Sequence, residues 1–331
     1  MNHRQSSGKL LVTACIGLLC IVGALLLVQY QGAIRDWVRV QQFVPSQSVA
    51  ALASDGGMSD YGRYVFYTGK PSLENSADFT SSCGEHERST AILGCYTNQQ
   101  IYLFDVQNKE LAGVEEVTAA HEMLHAAYER LSDTKRSEVD HLIESLLPTL
   151  EKDTSFRERM TVYKQLSKSE QLNELHSILG TEIAGLSSEL ETYYKQYFVD
   201  RSRVVALYRQ YSGVFKKLEA RAETLAQEYN QLVAARNQLV ETSNQEYSRL
   251  TADIAAYERG PRTDAAAARA LNRRADDFNA RLTATRQQVA VYDKQIAALK
   301  AELEAIQIHT KQLNDSIDST ITAPAEEVHG G

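Results

Sequence analysis

His121-Glu122-Met123-Leu124-His125 is the stretch of this chain whose residue types and spacing spell out a reaction. Residues four apart on a helix stand one turn above each other on the same face. His121 and His125 can therefore present imidazole nitrogens to one zinc ion, which takes nitrogen ligands in a tetrahedral shell. Glu122 lies one residue on, where it can reach a water in the metal's open position and take its proton. Zinc lowers the pKa of that water and polarises the carbonyl under attack, so the chemistry is metal-assisted hydrolysis with a glutamate base. The flanks are rich in alanine, and neither Gly nor Pro intrudes before Pro148, as a helix requires. The competing reading is a chance match in a helical protein that binds no metal.

Two histidines call for a third protein ligand, with the fourth position kept for water. A third His six residues after the second, with a Gly between, is absent; those positions hold Leu131 and Tyr128. Glu144 lies in an amphipathic helical pattern over residues 137–147, where a carboxylate is more often solvated. Glu174 lies in Leu172-Asn173-Glu174-Leu175-His176. Here the chain resembles the gluzincins, zinc metallopeptidases whose third ligand is a Glu on a second helix, written Asn-Glu before an apolar or small residue. The resemblance covers roughly residues 60 to 200 and is greatest to the minimal, single-domain members. It implies a zincin-like catalytic domain, zinc held by His121, His125 and Glu174, and Glu122 as the base that later carries the proton to the leaving amine. His176 stands where the family usually has a small or aromatic residue. That leaves Glu144, His176 and Glu182 as alternative ligands or as groups around the metal and substrate. No residue is assigned to stabilise the oxyanion; Tyr163 is the nearest guess, and His141 reads as a surface residue.

The elements that must position these groups follow from the patterning. Residues 63–68 and 100–106 are aromatic and β-branched and read as strands, separated by a polar loop over 72–87. The edge of such a strand can pair with an extended substrate backbone. Residues 10–28 carry no charge and would span about 28 Å as a helix, close to the thickness of a bilayer core. Arg4 and Lys9 precede the run, so residues 1–9 read as a cytoplasmic tail and 10–28 as a transmembrane signal anchor. A cleaved signal peptide competes, but its apolar core would be shorter, and no small-x-small site follows Val28. The remainder is then extracytoplasmic, as suits a bacterial cell envelope, and Cys83 and Cys95 are expected to close a disulfide there. Residues 29–58 read as a stalk or short helix and 59–187 as the catalytic domain.

From residue 188 the character changes. Ser188 and Glu191 form a capping-box pattern, and Gly213 is the sole glycine before Gly260-Pro261. Leu218, Leu225, Leu232 and Leu239 recur every seven residues, and Leu271, Phe278, Tyr292, Leu299, Ile306 and Leu313 do so with one lapse at Thr285. That spacing specifies a left-handed coiled coil, and the Gly-Pro turn folds it into an antiparallel hairpin over 188–320 with its turn near 258–265. The hairpin would serve as a spacer, a self-association element or a docking arm. The tail, 321–331, reads as disordered.

The whole chain thus reads as mostly α with a small β-sheet, an α+β catalytic domain plus a coiled-coil hairpin and an N-terminal transmembrane helix. A net charge of −8, from 35 basic and 43 acidic residues, argues against nucleic acid as a partner. The functional expectation is a membrane-anchored zinc metallopeptidase acting on peptide or protein substrates. The alternative is an envelope structural or adaptor coiled-coil protein with a non-catalytic zinc site.

Overall fold

Serines and glycines punctuate the first part of the chain into short helices. The structure, a computed structural model, describes residues 3–83 and 93–318, with side chains from residue 20 onward. Helix α1 (His3–Gln41) is followed by α2 (Gln47–Asp55) and α3 (Asp60–Thr68), which start on Ser46 and Ser59. Each of these serines accepts a hydrogen bond from the amide three residues on, satisfying an otherwise orphaned helix donor. Strand β1 (Ser72–Glu74), helix α4 (Ser76–Cys83) and strands β2 (Gly94–Thr97) and β3 (Gln100–Phe104) come next.

Then follow α5 (Val114–Glu129), α6 (Asp133–Leu150), α7 (Thr154–Met160), a 3-10 turn (Val162–Gln165), α8 (Lys168–Thr181) and α9 (Ser188–Tyr194). Two long helices, α10 (Arg201–Arg259) and α11 (Ala265–Ile317), complete the described chain. One compact unit comprises the chain up to Ser212 and from Asp315 onward; the other is Gly213–Asn314. The tail expected at 321–331 lies outside the described residues.

Helix α1 corrects the expected membrane anchor. Among the described residues no helix is long and apolar enough to cross a membrane. This overturns the span at 10–28 and, with it, the single-pass placement with a cytoplasmic N-terminus and an extracytoplasmic catalytic domain. The side chains of 10–19 lie outside the described residues. Further along, α1 is docked on protein. Arg39 donates from Nε to the Thr68 carbonyl and from Nη2 to that of Gln99, both at 2.6 Å. Asp36 pairs with Arg130 at 2.9 Å.

Residues 63–68, expected as a strand, are helical. Gly62, Val65, Phe66 and Thr68 are the buried positions of α3, the first three at the i, i+3, i+4 spacing of one helix face, and that packing overrides the β preference of the aromatic residues. Within the stretch read as a stalk or short helix, Val49, Leu52 and Ala53 of α2 belong to the core around α5. The polar loop at 72–87 contains β1 and α4. In the sheet the order is β1-β3-β2, so β2 is an edge strand; β1 runs parallel to β3, and β2 runs antiparallel to it with Cys95 opposite Tyr102. Cys95 is joined by a disulfide to Cys83 at the end of α4.

Within the second unit α10 and α11 run antiparallel. Arg221 pairs with Glu302, Arg236 with Asp293, Glu246 with Arg281, and Asp253 with Arg274, partners that approach each other in number toward the turn. Leu225, Leu250, Phe278 and Leu313 are the most buried residues of the seam. The ion pairs are solvent-exposed, each worth at most about 1 kcal/mol, so they specify register more than stability.

The first turn of α5 has its own pH dependence. Glu115 accepts a 2.7 Å hydrogen bond from the Val106 amide. Burial pushes its carboxyl up to about 7; the Val106 bond opposes this and the charges of Asp105 and Glu116 reinforce it. A raised carboxyl pKa contributes stability below its unfolded value of 4.5 and loses it as pH climbs through the folded value. Replacing Glu115 with Gln should therefore remove a fall of about 1–2 kcal/mol between pH 4.5 and 8, a figure already reduced for solvent screening. Urea unfolding of both proteins across that range checks this; parallel pH profiles would refute it.

Candidate metal centre

His121 and His125 project from the same face of α5, their ring centroids 4.7 Å apart. Their counterpart comes from α8, which begins with a complete capping box: Ser167 caps the Glu170 amide and the Glu170 side chain accepts from the Ser167 amide. The two helices approach closely because residue 180 is glycine. A Cβ there would stand 2.2 Å from Leu124 Cδ1 and 2.9 Å from Tyr194 Cε1.

The approach delivers Glu174 to the histidines. Its Oε2 is 3.6 Å from His121 Nε2, and its Oε1 is 3.4 Å from His125 Nε2. One donor atom from each of the three residues lies within 4.8 Å of the others, so His121, His125 and Glu174 form a group able to hold a metal ion. Asn173 adds orientation. Its Oδ1 is 3.1 Å from His125 Nδ1, so that nitrogen donates and the Nε2 lone pair is left facing the group.

The electrostatics follow from burial and mutual charge. Burial and the charge of His121 hold the His125 imidazole low, in its neutral form. Burial also works against charge on His121, but the hydrogen bond that its imidazole donates to Glu174 and the charges of Glu122, Glu174 and Glu182 outweigh it and raise its pKa. Burial pushes the Glu174 carboxyl up, and its bond to His121 with the charges of His121 and Arg159 more than reverses this. Glu174 is thus an anionic carboxylate at neutral pH.

Glu122 is 5% exposed and lies against strand β2. A Cβ on Gly94 would come within 2.8 Å of Glu122 Cγ and 2.9 Å of its Oε1, so the strand reaches the carboxylate only because residue 94 has no side chain. The next residue, Cys95, carries the disulfide, and Tyr96 beyond it is held by Arg130 Nη1 at 3.1 Å and by the Glu129 carboxylate.

The other candidates have partners elsewhere. Glu144 pairs with Lys168 at 2.5 Å. Glu182 receives both guanidinium nitrogens of Arg159, Nη2 to Oε1 at 2.6 Å. His176 is fully buried, its Nε2 2.8 Å from the Tyr193 hydroxyl, and burial together with the charges of His125 and His121 lowers it to about 3. His141 is exposed on α6. Tyr163 sits in the 3-10 turn, where burial and the charge of Glu174 raise its pKa and Arg159 partly opposes them.

Sequence reasoning missed Arg159 and the roles of Gly94 and Asn173. Arg159 left no local signal, since its partner is 23 residues away. Gly94 left a weak one, a glycine inside a strand-like run. The chain matches no protein-family model, no curated protein and no solved structure.

Proposed function

We propose that this protein is a zinc-dependent peptidase of the gluzincin type, acting on peptide or protein substrates. The observation that carries the reading is the convergence of His121 and His125 on α5 with Glu174 on α8, beside the carboxylate of Glu122. The donor chemistry fits zinc: two imidazole nitrogens and one carboxylate oxygen are a catalytic set that leaves a fourth position for water. The half-buried amide of Asn173, orienting His125, is the kind of outer support such ligands have. When bound, zinc supplies Lewis acidity, which acidifies water and polarises a carbonyl.

The chain's own groups do the rest. Glu122, shielded by α5 and β2, takes the proton from the attacking water and passes it to the leaving amine. Burial and the Glu174 charge keep the Tyr163 hydroxyl protonated. Arg159 neutralises Glu182, which takes that carboxylate out of competition for the metal.

The test is removal and return of the metal. Full-length protein treated with 1,10-phenanthroline and dialysed should lose its hydrolysis of casein and recover it with one equivalent of zinc per chain. Hydrolysis that survives complete removal of metal would sink the reading. One zinc bound with no turnover would instead favour the structural or adaptor role of the coiled coil.

A further inference from the structure

A cavity of about 430 Å³ opens beside the start of α10, and none of the residues of the metal centre lines it. Its apolar wall comes from Phe198, Val205 and Ala206, the first two almost fully buried. Around that wall stand three cations, Lys195, Arg201 and Arg209, and two carboxylates, Glu191 and Asp200.

The partners of these charges decide what the cavity prefers. Arg201 is 8% exposed and spent on structure. It donates Nε to Glu191 at 3.0 Å, pairs a second time with the same carboxylate, and gives Nη1 to the Leu179 and Ile183 carbonyls at 3.0 and 2.7 Å. Asp200 accepts from the Ser202 amide at 2.9 Å. Glu191 is therefore neutralised internally, whereas Asp200 stays an exposed anion whose charge is opposed by Arg203. Among the described residues the Lys195 ammonium and the Arg209 guanidinium form no ion pair or hydrogen bond, although Lys195 feels the charge of Glu191 at longer range. The cavity thus pairs an apolar wall with two uncommitted positive groups, in the size range of small-ligand pockets.

We propose that this cavity binds a carboxylate carried on an apolar body, the anion between Lys195 and Arg209 and the body against Phe198, Val205 and Ala206. A peptide ending in apolar residues and a free fatty acid share that chemistry. The concave shape concentrates the field of the two cations, and burial of the apolar part adds affinity roughly in proportion to area.

The experiment uses the full-length chain, titrated in separate arms with decanoate, acetyl-Leu-Leu-Val with a free C-terminus, and decylamine, followed by calorimetry. Decanoate or the peptide should bind with one site per chain, and decylamine should not compete. The tighter of the two acids identifies the source. Lys195→Gln with Arg209→Gln should weaken that binding at least tenfold. Ala206→Trp, on an exposed helix position that leaves the core untouched, should fill the cavity and abolish it. Absence of binding by both acids, equal binding by decylamine, or binding unchanged in both variants would overturn the proposal. None of these readouts depends on zinc or on hydrolysis.

Discussion

Replacing Glu174 with alanine should lower zinc affinity at least about a hundredfold, or about 2.7 kcal/mol, more than the loss of a typical outer-shell partner. The expectation rests on geometry. Glu174 reaches both histidines within 3.6 Å, whereas Glu144 is tied to Lys168 and Glu182 to Arg159. His176 faces Tyr193 at the same time and is closed off from solvent. None of the three can replace the lost oxygen without breaking a partner of its own. Competition with a chromophoric zinc chelator measures the change directly. Affinity in the alanine variant equal to that of the parent would move the third ligand elsewhere, and Glu144→Ala and Glu182→Ala would then locate it.

Replacing Glu122 with glutamine should leave zinc binding intact and reduce peptide hydrolysis about a thousandfold, within the range that general acid–base groups contribute. Glutamine has the size of glutamate, so the slot that Gly94 leaves for the side chain is still filled and β2 keeps its place. What disappears is a group able to take a proton. Metal analysis and casein hydrolysis on the same preparation separate the two effects. Hydrolysis within tenfold of the parent would remove Glu122 from the role proposed for it, while loss of zinc would make it a structural residue of the centre.

Much of this could be read from local patterns. The two histidines and Glu122 declare themselves through a spacing that only a helix turns into a shared face. The heptads of α10 and α11 repeat often enough to specify a hairpin before any coordinates. Cys83 and Cys95 are found bonded, though the compartment argument that suggested the pair drew on a membrane span that the described residues do not contain. The failures occurred where packing overrode local preference. Residues 63–68 have β-forming side chains, yet Ser59 starts a helix and Gly69 ends it, and the buried face has helical spacing. The capping box expected at Ser188 belongs instead to α8, on Ser167 and Glu170, while α9 starts on Ser187. Capping signals of serine and glutamate recur, and only tertiary packing selects among them. Arg159 was invisible because ion pairs between distant helices leave no periodic trace.

Strand β2 holds four residues at the edge of the sheet, where short strands ordinarily fray on fast timescales. Three successive residues remove that freedom: Gly94 is wedged against Glu122, Cys95 is bonded to α4, and Tyr96 is held by Arg130, which also grips Asp36 of α1. Opening this strand by itself would mean giving up the contacts of Gly94 and Tyr96 while Cys95 stays tethered to α4. Its fluctuations are consequently coupled to those of α1, α4 and α5, and the rigidity around Glu122 is a collective property of four elements.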